Sequence, residues 1–188
     1  MMSWSKFYEK VRNCDICFGE AYKSHKRILL GNGNINARVM IVGEAPSLYV
    51  TGEGVVFGRK SWNNYKRMLD ILGFSQDDVY TTNIVKCSIP KIILGDMKKC
   101  YENIFPLELR LVNPKYIILC GRSVVKTVLG KDIPLSGELI CKKGRYYITC
   151  PHPMWPERDP NRLPEFESII RKIKNIIDAN SILDRWMR

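Results

Sequence analysis

RVMIVGEAPS, residues 38–47, begins as an unbroken apolar run and turns within two residues into a segment bearing Gly43 and Pro46. A short apolar run bounded by turn residues reads as a strand covered on both faces. The same signature recurs in VYTTNIV (residues 79–85), KYIILC (residues 115–120) and YYITC (residues 146–150). Between these runs the spacing changes to that of helices. Trp62, Tyr65, Met68, Leu69 and Leu72 return every three or four residues, and Ile104, Leu107, Leu109 and Leu111 do so more loosely. Residues 121–129 open on Gly121 as a short helix. A last one, residues 163–179, carries Phe166, Ile169, Ile170, Ile173, Ile176 and Ile177 on one broad stripe. Strands alternating with helices predict a parallel sheet with helices on both faces, hence an α/β fold.

No Gly-, Pro- or Ser-rich linker and no internal repeat divides the 188 residues, so one domain over residues 1–188 is expected. A hydrophobic fraction of 45% and a charged fraction of 26% exclude disordered and collagen-like classes. The longest apolar runs fall far short of the ~20 residues that cross a bilayer. The first ten residues hold no apolar stretch of a secretory leader, so a cytosolic, nucleoid-associated protein is expected. Seven cysteines, an odd number without a leader, argue against a disulfide framework. The net charge of +11 favours an anionic partner, most often nucleic acid.

In open parallel sheets ligands bind beyond the carboxyl ends of the strands, so the segments after each strand hold the candidates. Gly43-Glu44-Ala45-Pro46-Ser47 follows the first strand and runs on to Phe57, without the spacing of a phosphate loop. Asn83 stands at the end of the second. A buried carboxamide sets a donor beside an acceptor, as a pyrimidine edge requires, although an Asn bonded to the backbone is the plainer alternative. The fourth strand leads into Cys150-Pro151-His152-Pro153-Met154-Trp155-Pro156, where two prolines stiffen the loop around one of only two histidines. Cys14 and Cys17 form a CxxC pair, with Cys87 and Cys100 far along the chain. Four thiolates suit zinc or an iron–sulfur cluster, and a lone CxxC also suits redox chemistry. Cys120, Cys141 and Cys150 lie in or beside apolar strands and read as core residues.

Taken in this order, the four motifs resemble those of the iron–sulfur uracil-DNA glycosylases, family 4 of the uracil-DNA glycosylase superfamily. The resemblance runs from about Cys14 to about Asp159 and includes KRILLGNGNINARVMIVGEAPS and NPKYIILCGRSVVKTVLG. It implies a three-layer sandwich around a central four-stranded parallel sheet, and a 4Fe-4S cluster on Cys14, Cys17, Cys87 and Cys100. It also implies hydrolysis of the bond joining uracil, or a related deaminated base, to deoxyribose. On this resemblance Phe57 stacks on the flipped base, Asn83 reads its Watson–Crick edge, and His152 donates to O2 of the departing anion. Glu44 and Ala45 shape the pocket and place water. Catalysis would rest on His152, Glu44 and Asn83. Base binding would add Phe57, Ala45 and Ser47.

Departures from the family pattern are confined to a few places. Ser47 replaces a glycine, Val50 and Thr51 stand where acidic residues are usual, and Ile92 stands where an asparagine is usual. A small residue at Ser47 predicts room for 5-substituted uracils. Met154 and Trp155 are candidate wedges into the duplex. Arg158, Lys86, Lys142, Lys143 and Arg145 are candidate phosphate contacts. The expected molecule is a monomeric glycosylase that leaves an abasic site, since no Schiff-base lysine stands in the motifs. Its competitor is an iron–sulfur DNA-binding or damage-sensing protein of the same fold that has lost excision.

Overall fold

The computed structural model describes residues 2–16, 27–46, 56–88 and 94–186. In chain order they form helix α1 (Trp4–Arg12), strands β1 (Arg27–Ile28), β2 (Asn32–Gly33) and β3 (Val39–Gly43), helix α2 (Trp62–Leu72), and strands β4 (Val79–Asn83) and β5 (Cys87–Ser88). There follow helices α3 (Leu94–Asn103) and α4 (Phe105–Val112), strand β6 (Tyr116–Cys120), helix α5 (Arg122–Leu129), strands β7 (Leu139–Lys142) and β8 (Arg145–Cys150), and helices α6 (Trp155–Arg158) and α7 (Leu163–Trp186).

The four strands anticipated from sequence lie side by side as β4-β3-β6-β8, all parallel. Two short antiparallel strands complete a six-stranded sheet, β2 against β4 and β7 against β8. These edges carried no apolar run by which to detect them. Most of β7 faces solvent, and Cys141, expected in the core, is exposed there. The β7–β8 turn takes Lys143 and Gly144 through positive φ, 51° and 73°. The basic run Lys142 to Arg145 is therefore hairpin chemistry.

Both faces of the sheet are buried, as the unbroken apolar strands require. Along β3, Met40 and Val42 point to one side and pack with Phe7 and Val11 of α1, Phe105 of α4 and Val124 of α5. Val39 and Ile41 point to the other and pack with Met68 and Leu72 of α2 and Phe166, Ile170 and Ile173 of α7. The result is three layers, helices on sheet on helices. Among the described residues no helix is long and apolar enough to cross a membrane.

The chain leaves β3 sideways to β4, then returns past β3 to β6 and β8. Parallel strands that diverge in this way leave a crevice at their carboxyl ends, between β3 and β6. Registers Gly43↔Asn83 and Cys120↔Cys150 put the strand ends level there.

Candidate active site

The β3–β4 ladder continues past the strand ends. Ile84 N–H donates to the Gly43 carbonyl at 2.9 Å, and Val85 N–H to the Glu44 carbonyl at 3.0 Å. The turn bearing Glu44 and Ala45 is thereby stitched to the segment after Asn83. Gly43 has to be glycine, because a Cβ there would run into Asn83 Oδ1 and lie 3.1 Å from the Phe57 ring. Asn83 and Phe57 are each only 2% exposed. The Asn83 Nδ2 donor has no hydrogen-bond partner among the described residues. An orphaned donor this deep is costly unless something arrives to use it.

Phe57 is fixed from two sides. Its ring lies 5.1 Å from that of Tyr65, tilted by 32°, and meets the imidazole of His152 edge to face at 5.2 Å and 68°. Tyr65 is anchored by a 2.7 Å hydrogen bond with Thr81 Oγ1, and burial pushes its phenol up to about 12. An aromatic floor and a histidine wall thus adjoin the carboxamide.

The state of His152 follows from its surroundings. Burial, helped by the Arg158 charge, lowers its pKa from 6.5 to about 4, so the ring is neutral at physiological pH. Met154 N–H donates to Nδ1 at 3.0 Å, so that nitrogen is an acceptor and the proton resides on Nε2. A neutral imidazole with Nε2–H free is a donor to an anion forming beside it. The loop itself is tied to α2, where Asn64 Nδ2 donates to the Pro153 carbonyl and to Glu157 Oε1, both at 3.0 Å.

Across the crevice the Glu44 carboxylate accepts a short hydrogen bond from Ser123 Oγ in the first turn of α5. Glu44, Ala45, Ser123, His152, Met154 and Arg158 line an open cleft of about 1110 Å³. Phe57 and Asn83 lie behind its wall. Met154 faces the cleft. Trp155 lines the same cleft, and its ring also packs on the α2–α7 core with the Arg162 guanidinium 5.3 Å away.

Lys86 is not a surface cation. It is 1% exposed, and its ammonium donates to Glu108 Oε2 and the Asn83 carbonyl at 2.5 Å and to Thr82 Oγ1 at 2.6 Å. That burial removes it from the phosphate contacts expected of it. Lys142 and Arg145 flank the turn that enters β8, at the amino ends of the parallel strands and away from His152, so they too are removed from this site. Arg158 stays exposed beside the cleft.

Ser47, Val50, Thr51, Ile92 and Cys17 lie outside the described residues. Cys14 packs against the same apolar cluster that holds Cys100, and Cys87 is paired in register with Ile28 on the short β1–β5 ribbon. The donor set is all thiol, which suits iron–sulfur or zinc and no hard cation. Among the described residues no three His, Cys, Asp or Glu side chains close on one metal-sized point.

Three residues of the site escaped sequence reading. Ser123 looked like an ordinary helix-start serine. Asn64 and Glu108 each left a trace, a polar residue on the buried stripe of an amphipathic helix, and their partners are 89 and 22 residues away.

Comparison with known proteins gives a family. The model of the Uracil DNA glycosylase superfamily matches residues 30–174. A type-4 uracil-DNA glycosylase of Pyrobaculum aerophilum is 36% identical over 78% of this chain and 74% of its own length. Type-4 uracil-DNA glycosylases of Saccharolobus solfataricus and Thermotoga maritima are 28% and 23% identical, over 95% and 94% of this chain and 89% and 93% of theirs.

Proposed function

This chain belongs to the uracil-DNA glycosylase superfamily, and from that premise we propose that it hydrolyses the N-glycosidic bond of uracil in DNA and leaves an abasic site. The observation that carries the reading is the buried, unpartnered Asn83 Nδ2 beside a neutral His152 and an aromatic ring. Uracil offers O4 to accept from Nδ2 and N3–H to donate to Oδ1. Cytosine presents a second donor to Nδ2 and no proton at N3, so it is refused.

The nucleotide leaves the stack and its base lies on Phe57, with Met154 filling the gap left behind. As the C1′–N1 bond breaks, its electron pair passes to N1 and spreads to O2. His152 Nε2–H donates to that oxygen, and the charge is stabilised without proton transfer. Glu44, aimed by Ser123, holds the attacking water and takes its proton as the new C1′–O bond forms. The Ala45 main chain bounds the pocket. Arg158 contacts phosphate. Lys86, the amine beside the base reader, is committed to Glu108 and is no Schiff-base nucleophile. The proposed product is an abasic site with the strand intact.

The proposal includes a 4Fe-4S cluster on Cys14, Cys17, Cys87 and Cys100, supported by the all-thiol donor set and by the shared core behind Cys14 and Cys100. When bound it supplies a crosslink between the N-terminal segment and the segment that follows Asn83. The protein acts as a monomer in the cytosol, where the DNA is. The test is excision from a uracil-containing oligonucleotide by wild type, Asn83→Ala and His152→Ala. Product from wild type alone supports the reading, and a wild type without product on single strands, U:G and U:A pairs removes it.

A further inference from the structure

The buried pair formed by Lys86 and Glu108 has no part in the chemistry above, yet it touches the base reader. Its burial is nearly complete, at 1% and 0% exposure. The three ammonium protons meet three acceptors, Thr82 Oγ1, the Asn83 carbonyl and Glu108 Oε2, so none is wasted. Glu108 in turn accepts from Tyr80 OH and from Thr82 Oγ1, each at 3.0 Å. A buried ion pair of this kind rarely stabilises a fold more than apolar residues of the same volume would. Its placement therefore calls for another reason.

The reason lies in the peptide unit joining Asn83 to Ile84. Its carbonyl is held by Lys86 at 2.5 Å, and its N–H by the Gly43 carbonyl at 2.9 Å. A peptide is planar, so fixing both ends fixes the plane and with it the backbone torsion that aims the Asn83 side chain. Only the Gly43 bond belongs to the sheet. The other is supplied by a side chain three residues on, itself held in place by a carboxylate from α4.

We propose that the Lys86–Glu108 pair is a positioning device that sets the pose of the Asn83 carboxamide and so determines how sharply uracil is told from cytosine. Lys86 then acts on DNA through Asn83 and not through phosphate. The inference rests on the reading of Asn83 given above.

The test uses single-stranded oligonucleotides carrying one 2′-fluoro-2′-deoxyuridine or one 2′-fluoro-2′-deoxycytidine, whose fluorine resists departure of the base. The ratio of the two dissociation constants is measured for wild type, Lys86→Met/Glu108→Gln, Glu108→Gln and Tyr80→Phe. The double variant removes both charges and keeps an acceptor for Tyr80 and Thr82. We expect its uracil preference to fall about tenfold or more, the discrimination a misaligned two-point base contact forfeits. Its salt dependence of binding should equal that of wild type. Glu108→Gln should fall in the same direction by less. Tyr80→Phe, which trims the network away from Asn83, should keep the wild-type ratio whatever its melting temperature. If the double variant does not fold, the contrast between Glu108→Gln and Tyr80→Phe decides, and equal ratios overturn the proposal. A double variant that keeps its preference but loses about one unit of salt slope makes Lys86 a phosphate contact and overturns it too. A wild type without uracil preference refutes the reading of Asn83 itself. A selective wild type beside an equally selective double variant refutes only the positioning role.

Discussion

Gly43 and Asn83 are the last register pair of β3 and β4, and the carboxamide oxygen of Asn83 occupies the space that any side chain at position 43 would need. Asn83 and the turn that carries Glu44 are thus fitted to each other through a missing methyl group. Gly43→Ala should move Asn83, Phe57 or both, and lower excision by about a hundredfold, the scale on which a displacement of ~1 Å costs rate. Single-turnover cleavage of a uracil oligonucleotide, with circular dichroism to confirm folding, checks this.

His152 should work as a neutral donor. With its pKa near 4, protonation of this ring cannot produce an inflection near 6.5 in the pH–rate profile. His152→Ala should lower kcat by about 10² to 10³, as loss of one anion-stabilising donor does, with little change in KM. The same shift has a stability consequence of definite sign. Between pH 6.5 and about 4 the unfolded chain binds a proton at this ring and the folded protein does not, so the contribution of His152 is complete above 6.5 and lost as pH falls towards 4. Melting temperatures of wild type and His152→Ala across that window should converge at the acid end.

Asn64 never reaches substrate in this arrangement and is expected to act through the His152 loop. Asn64→Leu leaves the Pro153 carbonyl and Glu157 without their donor, which should cost about 1 kcal/mol of stability. Excision should fall by about tenfold at unchanged affinity for undamaged DNA. Equal kcat in wild type and variant would remove the positioning role.

Cluster ligation has a visible signature. Protein purified without oxygen should be brown and hold about four irons per chain, and Cys87→Ser or Cys100→Ser should lower both iron content and melting temperature. Colourless wild-type protein containing zinc would replace the iron–sulfur assignment with a structural zinc site.

Phosphate contacts are read from salt. Log Kd against log salt should be steep for wild type, and Arg158→Ala should reduce the slope by about one. Lys142→Ala, at the opposite end of the strands, should leave it unchanged.

How much of this was legible beforehand depended on where each partner lies in the chain. RVMIVGEAPS and its three counterparts announced the parallel core because strands buried on both faces have no polar alternation to confuse the reading. Edge strands are half solvated, so β2 and β7 gave no such run, and Cys141 was misplaced into the core. Asn83, Glu44 and His152 could be named because each ends or follows a strand, whereas Phe57, well beyond β3, was named on the family resemblance. Lys86 looked like a surface charge beside a binding loop, and nothing local discloses that its counter-charge comes from α4, 22 residues on.

The turn after β3 has one further consequence. Glu44 is fastened through its carbonyl to Val85, just beyond the base reader, and through its carboxylate to Ser123 on α5, while Asn64 fastens the His152 loop to α2. The proposed water holder and the segment after the proposed base reader are thus joined to each other, and the loop of the proposed anion stabiliser is joined to α2. Part of the motion that brings base and site together falls to the nucleic acid, which has to unstack the base. Capture should be quickest where the DNA already yields, so uracil in a mispair or a single strand should be engaged sooner than uracil paired with adenine.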